Sequence, residues 1–292
     1  PKLLPNSLAK RLSLLIVMSI ADEWFTEKEV MWPGQKMSLK VEKVLFNQKS
    51  EFQDVLVFQS TNYGKVLVLD GVIQVTERDE FSYQEMLTHL PIFSFGEPKN
   101  VLIVGGGDGG ILREVAKHSC VEKIDMCEID PMVCEVSKKF GFSTATSFDD
   151  QRLTLIHEDA AEFVKREGEN KYDVIIIDSS DPVGPAESLF EPPFFANMEK
   201  ALTSEGIVAT QGECFWLHLP LIQRVMAAFG KIFQSVEYAS ASVPTYPCGQ
   251  IGFVLASKSK RNLSEPKSLP CDKMKEELRF YSTEMHRSAF AL

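Results

Sequence analysis

The sequence predicts an α/β protein in which a small antiparallel β unit precedes a mostly parallel sheet. From about residue 100 onward, short apolar runs alternate with helical segments, and this alternation is typical of a parallel sheet. Before residue 78, strand-like segments are separated by the turn signals Asn62-Tyr63-Gly64 and Asp70-Gly71. The 292 residues are enough for one small and one medium domain.

The amino-terminal β unit is predicted from four segments with strand character. They are Met37 to Phe46, Asp54 to Phe58, Lys65 to Leu69 and Val72 to Val75. A helix is predicted from Glu80 to Leu90, and Pro91 should end it because proline lacks the amide that a helix needs. Gly96-Glu97-Pro98 then marks the approach to the second domain.

An apolar extension precedes the β unit. Lys10-Arg11 is followed by the apolar run Leu12 to Ile20, which resembles the basic and apolar regions of a signal peptide. The run is too short to span a bilayer. Because the rest of the chain resembles a cytosolic protein, we favour an extension helix packed on the body of the protein or on a partner, and a cytoplasmic location. The predicted segments are 1–23 for the extension, 24–95 for the β domain with its linking helix, and 96–292 for the catalytic domain.

The second domain is predicted from alternating strands and helices. The strands are Val101 to Val104, Ile124 to Cys127, Leu153 to Ile156, Val174 to Ile177, Ile207 to Thr210, Val236 to Ala239 and Ile251 to Ala256. The helices are Ile111 to His118, Ala160 to Arg166, Pro193 to Leu202 and Leu219 to Phe229.

Acidic residues follow the first four of these strands. Ligands of open α/β sheets bind at the carboxyl ends of the strands, so four acids delivered to one edge predict a functional site there. The acids are Asp108, then Glu128 and Asp130, then Glu158 and Asp159, and finally Asp178, with Asp181 three residues further on.

The first of these acids lies inside a glycine-rich loop, Gly105 to Gly110 (GGGDGG). The glycines let the backbone approach a ligand closely, but the carboxylate of Asp108 would repel a phosphate and attract a cation. We therefore expect an adenosyl sulfonium rather than a dinucleotide. In that arrangement Glu128 holds the ribose, Asp159 lies near the adenine amine and Asp108 takes a cationic tail.

Composition supports a polycationic partner and excludes others. The net charge is −10, from 31 basic and 41 acidic residues, which argues against nucleic acid because such binding needs a basic face. The five histidines and six cysteines show no metal-ligand spacing and no CxxC pair, so no metal site is expected and the thiols should be reduced.

Several stretches together resemble the spermidine synthase family of polyamine aminopropyltransferases. They are residues 64–74 (GKVLVLDGVIQ), 76–85 (TERDEFSYQE), the GGGDGG loop, 178–190 (DSSDPVGPAESLF), 211–214 (QGEC) and 244–253 (PTYPCGQIGF). The resemblance spans roughly residues 24–292. It implies a small amino-terminal β domain followed by a Rossmann-like domain of the methyltransferase type, and a homodimer.

The resemblance also implies the reaction and its residues. An aminopropyl group would pass from decarboxylated S-adenosylmethionine, a co-substrate, to putrescine, with no tightly bound cofactor and no metal. It makes Asp178 the general base, and Asp181 a ligand of the attacking amine. Tyr83 and Tyr246 would line the diamine channel. Contacts to the donor are implied for Gln53 and Gln84, contacts to the far amine for Gln74, Gln211 and Glu213, and an aromatic side chain at the entrance for Trp24-Phe25.

The chemistry of the reaction fits these residue types. An aliphatic amine with a pKa of about 10.4 is almost wholly protonated at neutral pH, so the site must remove a proton from one end of the diamine and keep the other end charged. Asp108 would favour the decarboxylated donor, because ordinary S-adenosylmethionine carries a carboxylate at that point.

Other readings stay open at this stage. An amine N-methyltransferase shares the fold, but a methyl donor needs room and positive charge for its carboxylate. A catalytically inactive regulatory subunit is a second reading, although such a chain usually loses an acid. Spermine synthase and an agmatine aminopropyltransferase remain possible, since they differ mainly in the length of the acceptor pocket.

Overall fold

The computed structural model describes residues 20–21, 23–28, 32–179, 189 and 191–291. Asp181, most of the stretch 178–190 and most of the apolar extension therefore lie outside the described residues. No helix within the described part of the chain is both long and apolar enough to cross a membrane.

The amino-terminal sheet is antiparallel, with its six described strands in chain order. They are β1 (Ile20–Ala21), β2 (Trp24–Thr26), β3 (Ser38–Lys49), β4 (Asp54–Ser60), β5 (Lys65–Leu69) and β6 (Val72–Thr76). The four predicted strands are all present. The predicted extension helix is wrong at its end, because Ile20 and Ala21 pair as a strand with Phe25 and Trp24.

Helix α1 (Glu80–Phe95) connects the two sheets, and the prediction that Pro91 ends it is wrong. The helix continues through Pro91 for another turn and ends at Gly96, whose amide donates to the carbonyl of Ile92 at 2.9 Å. Leu90 and Ile92 on either side of the proline are fully buried. We attribute the continuation to this packing, which compensates for the one helical hydrogen bond that proline removes.

The second sheet has seven described strands in the order β12-β13-β11-β10-β7-β8-β9. Strands β7 to β11 are mutually parallel, and β13 runs antiparallel to its neighbours β11 and β12. The strands are β7 (Asn100–Gly105), β8 (Lys123–Cys127), β9 (Leu153–Ile156), β10 (Tyr172–Asp178), β11 (Leu202–Gln211), β12 (Ser235–Ser242) and β13 (Gln250–Ser257). The predicted Rossmann-like α/β class is confirmed.

Helices cover both faces of this sheet. They are α2 (Gly110–Ala116), α3 (Pro131–Lys139), α4 (Ala160–Glu167), α5 (Pro192–Ala201), α6 (Phe215–Phe229), α7 (Asp272–Glu277) and α8 (Thr283–Ser288), with a 3₁₀ turn at Pro247–Gly249. In β10, Val174 and Ile176 pack into the core on one face, while Ile175 and Ile177 pack into the core on the other. Because both faces are buried, the strands read as continuous apolar runs.

Helix α1 packs with the second sheet rather than with the first. Met86, Leu87 and Leu90 of the helix share one core with Ile103 of β7 and Ile176 of β10. This packing fixes the start of the helix, which carries two of the predicted site residues, against the carboxyl edge of the parallel strands.

Candidate active site

A cavity lies where the carboxyl edge of the second sheet faces the amino-terminal sheet. The predicted catalytic and binding residues that the structure describes line it, whereas the predicted entrance pair Trp24-Phe25 does not, and the individual roles stay predictions. The lining residues among them are Gln53, Gln74, Tyr83, Gln84, Asp108, Glu128, Asp159, Asp178, Gln211, Glu213 and Tyr246. Asp181 lies outside the described residues.

The acids along the edge follow the order of the strands. Asp159 comes after β9, Glu128 after β8 and Asp108 after β7, whereas Asp178 ends β10 and Glu213 follows β11. Neighbouring strands are about 4.8 Å apart, so the four intervals from β9 to β11 span about 19 Å. The cavity is therefore bordered by a row of acids that is long enough for an extended ligand.

The glycine loop is packed against the backbone at the end of β10 and hydrogen-bonded to it. Gly105 has a φ of +77°, and a Cβ at this position would lie 2.1 Å from the carbonyl oxygen of Asp178. The amide of Gly106 donates to that same oxygen at 2.9 Å. Glycine is therefore required at residue 105, and the contact fixes the backbone of Asp178 next to the loop.

Asp108 is buried in this loop, and its hydrogen-bond donors among the described residues are neutral. Its Oδ1 accepts from the amide of Gly110 at 2.8 Å and from Nε2 of Gln84 at 3.2 Å. Burial raises the pKa of Asp108, and the nearby charge of Asp178 raises it further. The Oε1 atom of Gln84 is buried and has no hydrogen-bond partner among the described residues. A cation on a bound ligand would stabilise the buried carboxylate of Asp108.

Asp178 is held by a tyrosine. The hydroxyl of Tyr83 donates to Oδ1 of Asp178 at 2.6 Å. Burial raises the pKa of Asp178, while the Tyr83 hydrogen bond lowers it. The ring of Tyr246 meets that of Tyr83 edge-on at a centroid distance of 5.7 Å, and its hydroxyl donates to the carbonyl of Gln74 at 2.8 Å. A carboxylate with a raised pKa, fixed in orientation, is suited to accept a proton near neutral pH.

Glu128 is oriented by two backbone amides. It accepts from Gly107 at 3.1 Å and from Asp130 at 2.8 Å, and burial raises its pKa to about 7. The side chain of Asp130 in turn accepts from Ser50 at 2.7 Å and from Nε2 of Gln53 at 2.9 Å. Gln53 is thus carried to the cavity on the turn between β3 and β4, and Asp130 links that turn to the second sheet.

Comparison with known proteins agrees with this architecture. Residues 80–265 match the family model of the spermine/spermidine synthase domain, and residues 23–77 match the spermidine synthase tetramerisation domain. The chain belongs to the spermine/spermidine synthase family. It is therefore an enzyme of the aminopropyltransferase class.

Named relatives and solved structures of the family are similar over most of the chain. A spermine synthase of Arabidopsis thaliana is 55% identical over 90% of this chain and 75% of its own length. A spermidine synthase of Solanum lycopersicum is 50% identical over 98% and 86% of the two chains. A crystal structure of spermidine synthase with the transition-state analogue AdoDATO superposes with a TM-score of 0.87, at 34% identity and 94% coverage of both chains.

The family's two models meet just before α1, between residues 77 and 80. The helix therefore falls in the same model as the second sheet, on which it packs. The predicted division assigned the helix to residues 24–95 as a linking helix, and that division stays a prediction.

Sequence reasoning did not find two further residues that line the cavity of this family member. Glu27 follows β2 and is buried, with its carboxylate accepting from the amides of Ile73 at 2.9 Å and Met37 at 3.2 Å. Burial raises the pKa of Glu27. Trp32 lines the same region, and its Nε1 is buried without a hydrogen-bond partner among the described residues. In the sequence, the tryptophan of the Trp32-Pro33-Gly34 turn was the feature that could have indicated a cavity residue here.

The sequence prediction proposed a different aromatic pair for the entrance. Phe25 is fully buried in the core of the amino-terminal sheet, where its ring lies 5.4 Å from that of Phe58. Trp24 is 47% exposed, and neither residue lines the cavity. Trp32 is the tryptophan that the cavity contains.

Asp159 has a structural contact besides its place in the cavity. It is the N-cap of α4, and its Oδ1 accepts from the amide of Ala161 at 2.7 Å. The helix therefore positions this carboxylate at the edge of the cavity.

Proposed function

We propose that this enzyme transfers the aminopropyl group of decarboxylated S-adenosylmethionine to putrescine, which gives spermidine and methylthioadenosine. The observation that carries the proposal is the pair of buried acids at the edge of the sheet. Asp108 lies in the glycine loop, where the described part of the chain gives it no cationic hydrogen-bond partner, and Asp178 beside it is oriented by Tyr83. One acid suits a ligand ammonium and the other suits a proton acceptor.

The donor would occupy the β7 to β9 side of the row. Glu128 is placed for the ribose hydroxyls, Asp159 and Gln53 for the nucleoside, and Asp108 with Gln84 for the ammonium of the aminopropyl arm. The carboxylate of ordinary S-adenosylmethionine would face Asp108 in a desolvated site, which costs several kcal/mol. The AdoDATO complex of the similar spermidine synthase supports this assignment.

The acceptor would occupy the β10 to β13 side. An amine nitrogen of putrescine attacks the methylene carbon beside the sulfonium, the new C–N bond forms, and the C–S electron pair leaves on sulfur. The proton of the amine passes to Asp178, whose raised pKa suits this transfer. Asp181 would hold the attacking amine, and Glu27, Gln211 and Glu213 would keep the distant amine charged.

Spermidine is the second candidate acceptor, with spermine as its product. The observation that favours it is the 55% identity to the spermine synthase of Arabidopsis thaliana, compared with 50% to the spermidine synthase of Solanum lycopersicum. The acids at the edge serve either acceptor, because both attack through a primary amine. The two differ in length, which the residues at the end of the row must accommodate.

Turnover with a panel of acceptors tests the proposal. Decarboxylated S-adenosylmethionine is supplied with putrescine, cadaverine, agmatine or spermidine, and the amine product is identified by mass spectrometry. We expect the highest kcat/KM with putrescine. A higher value with spermidine would replace the first candidate by the second, and methyl transfer from S-adenosylmethionine to any of the amines would overturn both.

We further propose that the chain forms a homodimer through its amino-terminal sheet. Residues 23–77 match a domain that is named for tetramerisation, and Trp24 and Val44 of this sheet are exposed by 47% and 43%. Sedimentation at micromolar concentration should give a dimer, and Val44→Lys should weaken it. A monomer would remove the proposal, and a tetramer would replace the dimer. A cytoplasmic location stays a prediction.

A further inference from the structure

Two cysteines meet beside the acceptor side of the cavity. Cys214 directly follows Glu213 and is the N-cap of α6, whereas Cys248 lies in the 3₁₀ turn that precedes β13. The two segments run antiparallel, since the amide of Gly212 donates to the carbonyl of Gly252 at 2.7 Å and the amide of Gly252 to that of Glu213 at 2.8 Å. This pairing brings the thiol of Cys214 within hydrogen-bonding reach of the thiol of Cys248.

The two thiols differ in the way that a dithiol switch requires. Cys248 is exposed, while Cys214 is 2% exposed. Reagents in solution therefore reach Cys248 first. Burial raises the pKa of Cys214, and the backbone amides of Trp216 and Leu217, in the first turn of α6, offset part of that rise because they lie at its sulfur. The buried thiol is thus placed to attack a modified Cys248.

We propose that Cys214 and Cys248 form a reversible intramolecular disulfide that weakens amine binding at the acceptor side of the cavity. The oxidant is a small-molecule disulfide such as oxidised glutathione. The thiolate of Cys248 attacks it, which forms a mixed disulfide and releases one thiol. The thiolate of Cys214 then attacks Cys248 Sγ, which forms the protein disulfide and releases the second thiol. Two protein thiols are oxidised, and one small-molecule disulfide is reduced to two thiols.

The effect on the acceptor side follows from what the two cysteines adjoin, and this half of the inference rests on the proposed function. Glu213 precedes Cys214, and Tyr246 lies two residues before Cys248. Glu213 and Cys248 both have left-handed backbones, with φ of 59° and 58°. A disulfide requires a Cβ–Cβ distance of about 3.8 Å and a fixed dihedral angle, so closing it constrains both strained segments.

Oxidation also removes a contact to the amino-terminal sheet. The thiol of Cys248 donates to Oε1 of Gln35 at 3.5 Å, and the segment that contains Gln35 also carries Trp32 of the cavity wall. A disulfide has no S–H to donate, so the hydrogen bond to the segment that contains Gln35 and Trp32 is lost. The donor side, at the ends of β7, β8 and β9, is joined to the amino-terminal sheet through Asp130 instead, and the disulfide would leave that contact unchanged.

Peptide mapping tests the disulfide itself. The full chain is incubated with oxidised glutathione, alkylated and digested without reduction. We expect a linked peptide pair that contains Cys214 and Cys248, a mass loss of two hydrogen atoms, and reversal by dithiothreitol. Cys248→Ser and Cys214→Ser should both abolish the linked pair, and Cys271→Ser, which removes another exposed thiol, should not. A stable mixed disulfide on Cys248, a different pair, or no disulfide would overturn the proposal.

Kinetics tests the coupling. Oxidation should raise KM for putrescine by about threefold or more, which is the change expected from losing one neutral hydrogen bond. The affinity for methylthioadenosine, measured by calorimetry, should not change, and Cys248→Ser should make KM insensitive to oxidation. An unchanged KM in the oxidised wild type would overturn the coupling. If putrescine is not a substrate at all, the peptide map still decides the disulfide, so that failure would concern the proposed function alone.

Discussion

Asp79 holds Thr245 through two hydrogen bonds of 2.8 Å, one from the backbone amide of the threonine and one from its hydroxyl. The other oxygen of Asp79 accepts from the hydroxyl of Thr76 at 2.5 Å. All three residues are buried. The carboxylate therefore ties the end of β6 to the turn that carries Tyr246, although Asp79 does not line the cavity itself.

Replacing this carboxylate should affect both stability and acceptor binding. Asp79→Ala leaves three buried donors without their partner, so we expect a loss of about 2 to 3 kcal/mol in the free energy of unfolding. KM for the amine should rise, because Tyr246 is the next residue after Thr245. Thr245→Val removes only the hydroxyl and should have a smaller effect on both. Urea unfolding and steady-state kinetics measure the changes, and equal effects of the two variants would contradict the account.

Asp178→Asn should lower kcat by about 10²- to 10⁴-fold, the usual contribution of a general base. Methylthioadenosine binding, measured by calorimetry, should change by less than about twofold, which is within the small effects expected away from a contact. The backbone contact between Asp178 and Gly106 does not depend on the side chain, so the glycine loop should keep its shape. Near-normal turnover would remove Asp178 as the base.

Tyr83→Phe should shift the acidic limb of the kcat–pH profile to higher pH. The Tyr83 hydrogen bond favours the charged carboxylate and lowers the pKa of Asp178, so its loss raises that pKa. The base must be deprotonated to act, and activity should then fall at a pH that is higher by roughly one unit. Tyr246→Phe is the matched control, because its hydroxyl donates to the carbonyl of Gln74 instead. A shift of the same size in both variants would argue against a specific effect on Asp178.

Asp108→Asn should stabilise the ligand-free protein at alkaline pH. Burial raises the pKa of Asp108 above its ordinary value of 3.8, so the folded state binds this proton more tightly than the unfolded state. The stability contributed by protonated Asp108 is therefore lost as the pH rises through the raised pKa. Each pKa unit of the shift corresponds to about 1.4 kcal/mol, and asparagine avoids this loss.

Urea unfolding at pH 5 and at pH 8 measures this difference. The advantage of the Asp108→Asn variant should be larger at pH 8, and calorimetry should show that it discriminates less between decarboxylated and ordinary S-adenosylmethionine. The buried Oε1 of Gln84, which has no partner among the described residues, could accept from the new amide after a rotation of the Gln84 side chain. A variant that is less stable than the wild type at pH 8 would contradict the prediction.

The parallel sheet and its row of acids could be predicted because each depends on a local pattern. An apolar run such as Val174 to Ile177 is buried on both faces, and the acid after it must then lie at the edge of the sheet. The course of α1 through Pro91 could not be predicted in this way. Whether the helix tolerates the proline depends on the packing of Leu90 and Ile92 against strands that lie far away in the sequence.

Local sequence patterns also could not predict which residues of the amino-terminal part of the chain line the cavity. Glu27 reads as a polar residue after a short strand, and its burial becomes evident only once the amides of Met37 and Ile73 are seen to hold it. Trp24-Phe25 offered a stronger aromatic signal than Trp32 did. Which tryptophan reaches the cavity is decided by how the amino-terminal sheet lies over the second sheet.

The strands place the acids at regular intervals along the edge of the sheet, so the edge sets a fixed length scale for a bound ligand. Each strand adds a fixed step of about 4.8 Å, and the backbone sets that step, so a point mutation cannot stretch it. If the proposed function holds, we expect the length of the acceptor to be selected by the cavity residues Glu27 and Trp32, and not by the row of acids. Two enzymes could keep the same row of acids, differ only in those two residues, and release polyamines of different length.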